Sequence, residues 1–194
     1  MTTTWVWVDL GPDGPHASAF ELLAKARSLG GAAAVALGPG ASAAAPDLAA
    51  HGATTVYASD DAVFTDGLSQ PAAHALHALV EAHRPDLVLF PTTYDARDVA
   101  GRLQARTGST LLSNATDLPS ATRAETRVAG GSMIVETDLA GPAPRLVLVR
   151  PKSFAAEAVG GSATVVAVDA TVPDSLRTAR RVERHREAAA GPRL

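Results

Sequence analysis

The chain has 194 residues, of which 46% are hydrophobic, 19% charged and 4% aromatic, a composition that favours a globular domain over disorder and is long enough to close one core. Seventeen basic residues against 20 acidic ones leave a net charge of −3, so whole-chain electrostatics give no case for nucleic acid. There is no cysteine, which excludes disulfides, thiolate catalysis, Cys-ligated zinc and Cys-held iron–sulfur clusters.

Residues 4–10 are apolar and β-rich, and turn chemistry follows over 11–15. From Ser18 to Leu29 the apolar residues recur at helical spacing, and Gly30 with Gly31 stops the helix. Residues 32–38 read as a second buried strand, 46–51 as a short alanine-rich helix closed by Gly52, and 53–59 as a third strand. Pro71 to His83 is an amphipathic helix with Leu76, Leu79 and Val80 on one face. Pro85 ends it and strand 86–91 follows. A further helix is expected from about Tyr94 to Thr107, capped by Thr92 or Thr93 and stopped by Gly108. Strand–helix alternation with short links predicts a mostly parallel sheet with helices on both faces.

After Gly108 the pattern changes. Segments 109–118, 122–129, 131–139, 144–150 and 163–168 all read as strands, and their hairpin-like spacing predicts an antiparallel extension beside the parallel sheet. Residues 174–194 carry six arginines against three acidic residues and few large apolar ones, so a helix there has little to bury. No run approaches about 18 uncharged apolar residues, and residues 1–11 lack the basic start of a secretory signal. A cytoplasmic protein with no membrane segment is the expectation.

Motifs for chemistry are sparse. His74, His77 and Glu81 share a helix face, but they lack the i, i+4 histidine pair of a zinc-protease helix and equally suit a solvated surface. Neither lysine, Lys25 nor Lys152, sits in a phosphate-loop context. Gly38-Pro39-Gly40 lies between a strand and a helix like a dinucleotide turn, yet the third glycine is missing and Pro39 has no N–H to donate. There is no Gly-x-Ser-x-Gly elbow, and Ser132 falls in a hairpin-like stretch. No catalytic and no metal-ligating residue is assigned.

Four charged residues remain. Arg97, Asp98 and Arg102 follow strand 86–91 on the next helix, where open α/β sheets present backbone N–H groups. Arg97 is too early in that helix to complement its C-terminal dipole, so the expectation is either an ion pair or external partner, or simply a capped helix with solvated charges. Arg150 ends an apolar run before Pro151, where it can anchor an acidic group at a sheet edge or block edge pairing.

These segments, taken in order, resemble the N-terminal domain of the electron transfer flavoprotein alpha subunit, the family that includes FixB-type proteins. The likeness rests on Val6-Trp7-Val8, on residues 21–27 of the first helix, on Gly52-Ala53 through Val56-Tyr57, and on residues 85–90. It continues through residues 97–103, Gly108, residues 114–118, Gly130-Gly131-Ser132-Met133, and Val149-Arg150-Pro151 with Phe154. The resemblance implies a three-layer α/β/α domain of the adenine-nucleotide-hydrolase-like type, spanning residues 1–171. It implies an electron carrier component rather than an enzyme, docked to a beta subunit as a heterodimer. In that family FAD passes electrons from acyl-CoA or other dehydrogenases to a quinone oxidoreductase or another acceptor. FAD is held there mainly by a second, C-terminal domain, so residues 172–194 read as the linker towards it and no FAD ligand is assigned in this chain. Arg97, Asp98, Arg102 and Arg150 are left with structural or subunit-interface roles. The alternative is a stand-alone adenine-nucleotide-binding domain.

Overall fold

A computed structural model describes residues 2–183. Strand β1 (Thr3–Val8) sends Val6 and Val8 into one apolar layer and Trp5 and Trp7 into another, all buried, as pleating requires of a strand covered on both faces. A minimal hairpin, β2 (Leu10–Gly11) and β3 (Gly14–Pro15), leads into α1 (Ala17–Leu29). Then follow β4 (Gly31–Leu37), α2 (Ala45–Ala50), β5 (Thr55–Ser59), α3 (Val63–Asp66), α4 (Gln70–His83), β6 (Leu87–Pro91) and α5 (Tyr94–Thr107). Each main element lies within a few residues of the segment read from the sequence.

Helix α5 illustrates why. The Thr93 hydroxyl accepts a hydrogen bond from the Ala96 N–H at 3.2 Å, so the N-terminus is capped. Gly108 adopts φ +67 and returns its N–H to the Gln104 carbonyl at 2.9 Å, which ends the helix. Between the ends, Ala96, Val99, Ala100 and Leu103 form the buried stripe.

The chain continues as β7 (Leu111–Ala115), β8 (Asp117–Ser120), β9 (Arg123–Val128), β10 (Met133–Asp138), β11 (Arg145–Val149) and β12 (Thr164–Ala167). The expected antiparallel extension exists, but it is smaller than the five segments suggested. Only β8, β9 and β10 form it. Strands β7, β11 and β12 join a seven-stranded sheet of order β12-β5-β4-β1-β6-β11-β7, in which every neighbour pair is parallel. The stretch read as one strand over 109–118 is split, with Asn114 at φ +65 just before the break. The reason for the placement of β11 is burial: Leu146 to Val149 are all buried, and a continuous apolar run belongs inside a parallel sheet.

Helices α1 and α2 cover the Val6 and Val8 face, while α3, α4 and α5 cover the Trp5 and Trp7 face. This is the three-layer α/β/α arrangement. The small antiparallel sheet contributes Leu118 and Ala124 to the α1 side of the core. Beyond β12, Val172 is buried in the opposite layer and Leu176 packs against it. The chain then runs along α3 and the loop after it, where Arg180 bridges Gly67 and the Arg181 N–H donates to the Asp66 carbonyl at 2.8 Å. Main-chain bonding thus supplies what the sparse apolar content of this stretch does not. The rest of the arginine-rich stretch, 184–194, lies outside the described residues.

Candidate functional site

Strands β4 and β5 lie on one side of β1, and β6 and β11 on the other. Reversal of strand order opens a crevice outside the carboxyl ends of the strands at that point. Here it is a cleft of about 1000 Å³ lined by Trp7 of β1, Asp9 just after it, Phe64 of α3, and Thr93, Tyr94 and Asp95 at the start of α5. Asp9 accepts hydrogen bonds from the Trp7 indole N–H at 2.9 Å and the Thr93 hydroxyl at 2.5 Å. Burial pushes the Asp9 carboxyl above its ordinary value of 3.8, outweighing those two bonds and the charge of His16, with Asp95 acting in the same direction as burial. Both carboxylate oxygens are engaged, so Asp9 ties the end of β1 to the α5 cap. Across the mouth, the Arg181 guanidinium reaches Asp95 and the Thr65 carbonyl, each at 3.5 Å.

The neighbouring turn at Gly38-Pro39-Gly40 is filled from within. The Gly38 N–H donates to the Ser59 carbonyl at 2.8 Å, and the Ser42 N–H to the Asp60 carboxylate at 3.1 Å. Hydrogen bonds from Ser42, side chain and backbone, hold the Asp60 carboxyl below its ordinary value, with smaller help from the Gly40 and Ala41 N–H groups. A side-chain carboxylate thus takes the donors that a pyrophosphate needs. With Asp9 and Asp95 alongside, this cleft does not fit the diphosphate of a flavin dinucleotide.

The four charged residues singled out from the sequence do not converge. Arg102 pairs with Asp98 at 2.8 Å on the outer side of α5, an exposed i, i+4 pair contributing about 0.3–0.5 kcal/mol. Arg97 is exposed nearby and makes no ion pair with any described residue. Arg150 follows β11, which lies between β6 and β7 and is not an edge strand. It lines a separate cavity of about 620 Å³ beside the antiparallel sheet. His74 and His77 are half-buried on α4, and among the described residues no group of three or more histidines or carboxylates is placed to hold a metal. Asp9, Asp60 and Arg181 were not legible as functional residues. The one signal was the position of Asp9, the first charge after an apolar strand.

A further exposed apolar surface lies elsewhere. Val128, Met133, Ile134 and Val135 stand 38–58% exposed on β9 and β10, and β10 is the outer strand of its sheet. These large apolar residues sit on an open strand edge.

A family model for the electron transfer flavoprotein domain matches residues 4–175. The chain belongs to the electron transfer flavoprotein family. Within that family it is similar to the electron transfer flavoprotein subunit alpha of Mycobacterium tuberculosis (strain CDC 1551 / Oshkosh), at 36% identity over 151 residues, covering 77% of this chain and 47% of the relative. It is also similar to the alpha subunit of Syntrophomonas wolfei subsp. wolfei, at 30% identity over 93% of this chain and 58% of the relative. Protein FixB of Rhizobium meliloti (strain 1021) matches at 29% identity over 78% of this chain and 46% of its own length. The chain spans about half the length of these electron transfer flavoprotein relatives. Among the described residues no helix is long and apolar enough to cross a membrane.

Proposed function

We propose that this chain is the scaffolding domain of an electron transfer flavoprotein alpha subunit. It docks a beta subunit and helps to position an FAD held mainly outside this chain, in electron transfer from acyl-CoA or other dehydrogenases. On this reading it is a component of a cytoplasmic electron carrier and not itself an enzyme.

The observation that carries the reading is the β9–β10 arm. Its apolar residues are too exposed to serve this chain's own core, and the unpaired edge of β10 can accept a partner strand. Arg97 is available at a second surface, on α5. The alternative, an adenine nucleotide bound in the switch-point cleft, is weakened by the Asp60 carboxylate in the turn and by Asp9 and Asp95 in the cleft. Mixing the purified chain with a cognate beta subunit and running sizing chromatography tests the proposal. A co-eluting complex at micromolar concentration is expected, and Ile134→Glu together with Met133→Glu should abolish it. Absence of a complex with the unmodified chain overturns the docking role.

A further inference from the structure

We infer that the cavity beside the antiparallel sheet is a binding site for a small organic phosphate. Four cations line it from three parts of the fold: Lys25 from α1, Arg127 from β9, and Arg150 and Lys152 from the loop after β11. Two carboxylates line it as well, Asp117 and Glu125. Lys25 and Asp117 neutralise each other at 2.7 Å, and Asp117 also accepts from the Leu118 N–H at 2.7 Å.

The remaining charges do not cancel. Arg127, Arg150 and Lys152 make no ion pair with any described residue, and Glu125 in the lining and Glu21, whose carboxylate accepts from the Lys152 N–H, stand against them, which leaves one positive charge uncompensated. Arg123, two turns of the pleat earlier on β9, provides the contrast, because Asp138 and Glu136 bind it at 2.9 and 3.3 Å. A structural arginine on this strand therefore has carboxylate partners, and the arginine facing the cavity does not.

The loop carrying two of the cations is fixed before any ligand arrives. The Arg150 N–H donates to the Ala115 carbonyl at 2.8 Å, and the Lys152 N–H to the Glu21 carboxylate at 2.8 Å. Lys152 holds φ +62, a left-handed conformation that a lysine keeps only where its surroundings impose it. Two guanidinium forks and an ammonium suit the oxygens of a phosphate dianion in charge and in hydrogen-bond donors. The cavity, at about 620 Å³, has room beyond the phosphate, and the Phe154 ring, with the Lys25 ammonium 5.2 Å from its centre, offers an apolar wall for the organic part. Arg127 pairs across the strands with Ile134, so the cavity borders the docking arm, and the phosphate titration, run on the chain alone, reads it separately from docking.

Phenyl phosphate is the probe, with inorganic phosphate and benzoate as comparisons, titrated calorimetrically at matched ionic strength. Phenyl phosphate should bind most tightly, and more weakly at pH 5 than at pH 8, because its dianion is lost below about pH 6. Arg150→Gln and Arg127→Gln should each weaken it about tenfold or more. Arg123→Gln should leave it unchanged. All of these are exposed side chains, and an unaltered thermal midpoint without ligand verifies that each variant is folded. The inference is overturned if no probe binds, if benzoate binds as well as phenyl phosphate, or if Arg150→Gln and Arg127→Gln bind like the unmodified chain.

Discussion

Replacing Thr93 by valine removes one hydroxyl that serves two elements. It accepts from the Ala96 N–H at the start of α5 and donates to the Asp9 carboxylate at the end of β1. Loss of the cap costs about 1 kcal/mol. Loss of a hydrogen bond to a charged, largely buried group costs about 1.5–3 kcal/mol. Together they predict a destabilisation of roughly 2.5–4 kcal/mol at neutral pH, or about 5–15 °C in thermal midpoint for a domain of this size. The two contributions separate with pH. The folded-state pKa of Asp9 is raised above 3.8, so acidification through it stabilises the native state. In the Thr93→Val chain that pKa is higher still, so the variant gains more on acidification and the gap narrows towards the cap contribution of about 1 kcal/mol. Urea unfolding at a series of pH values, with Thr93→Ser retaining the hydroxyl as the control, measures both. A gap that does not change with pH, or a serine variant as unstable as the valine one, would refute the shared-hydroxyl account.

Other perturbations address other parts of the fold. A Cβ at Gly52, where φ is +98, meets the Arg27 Cδ at 2.2 Å, and Arg27 donates to the His51 carbonyl at 2.7 Å. Gly52→Ala is therefore expected to destabilise by about 1–3 kcal/mol, read from denaturant midpoints. The Asp60 pKa lies below the ordinary 3.8, so its stabilisation is present above that pH and is lost as pH falls through the lowered value. Asp60→Asn should therefore be less stable than the unmodified chain at neutral pH, with the difference closing in strong acid. Val172 is 4% exposed. Val172→Asp places an unpaired carboxylate there, and tryptic cleavage at Arg177, Arg180 and Arg181 should accelerate many-fold in timed digests.

The parallel half of the fold was legible because its signals are local. Thr93 and Gly108 bound α5 by side-chain chemistry and by a positive φ, and both are visible in sequence. The placement of β7, β11 and β12 was not legible, because spacing alone cannot distinguish a hairpin neighbour from a strand reached after an excursion. The unbroken apolar run Leu146 to Val149 was the usable clue, since β10, with exposed Met133, Ile134 and Val135, has no such burial. At the candidate sites, Arg150 carried a signal because it ends that run abruptly. Lys25, Arg127 and Lys152 meet it only through tertiary folding, and no spacing along the chain encodes their convergence.

One consequence concerns synthesis. Strand β12 covers the outer edge of β5, pairing Val165 with Val56 and Val166 with Tyr57. During translation every other strand of the parallel sheet emerges before this one. Until residues 164–167 leave the ribosome, β5 has β4 on one side and open hydrogen-bonding groups on the other. The nascent chain is therefore most prone to pairing with its neighbours on a polysome during that interval. The late arrival of four residues closes the edge of β5 and leaves the short strand β12 as the outer one.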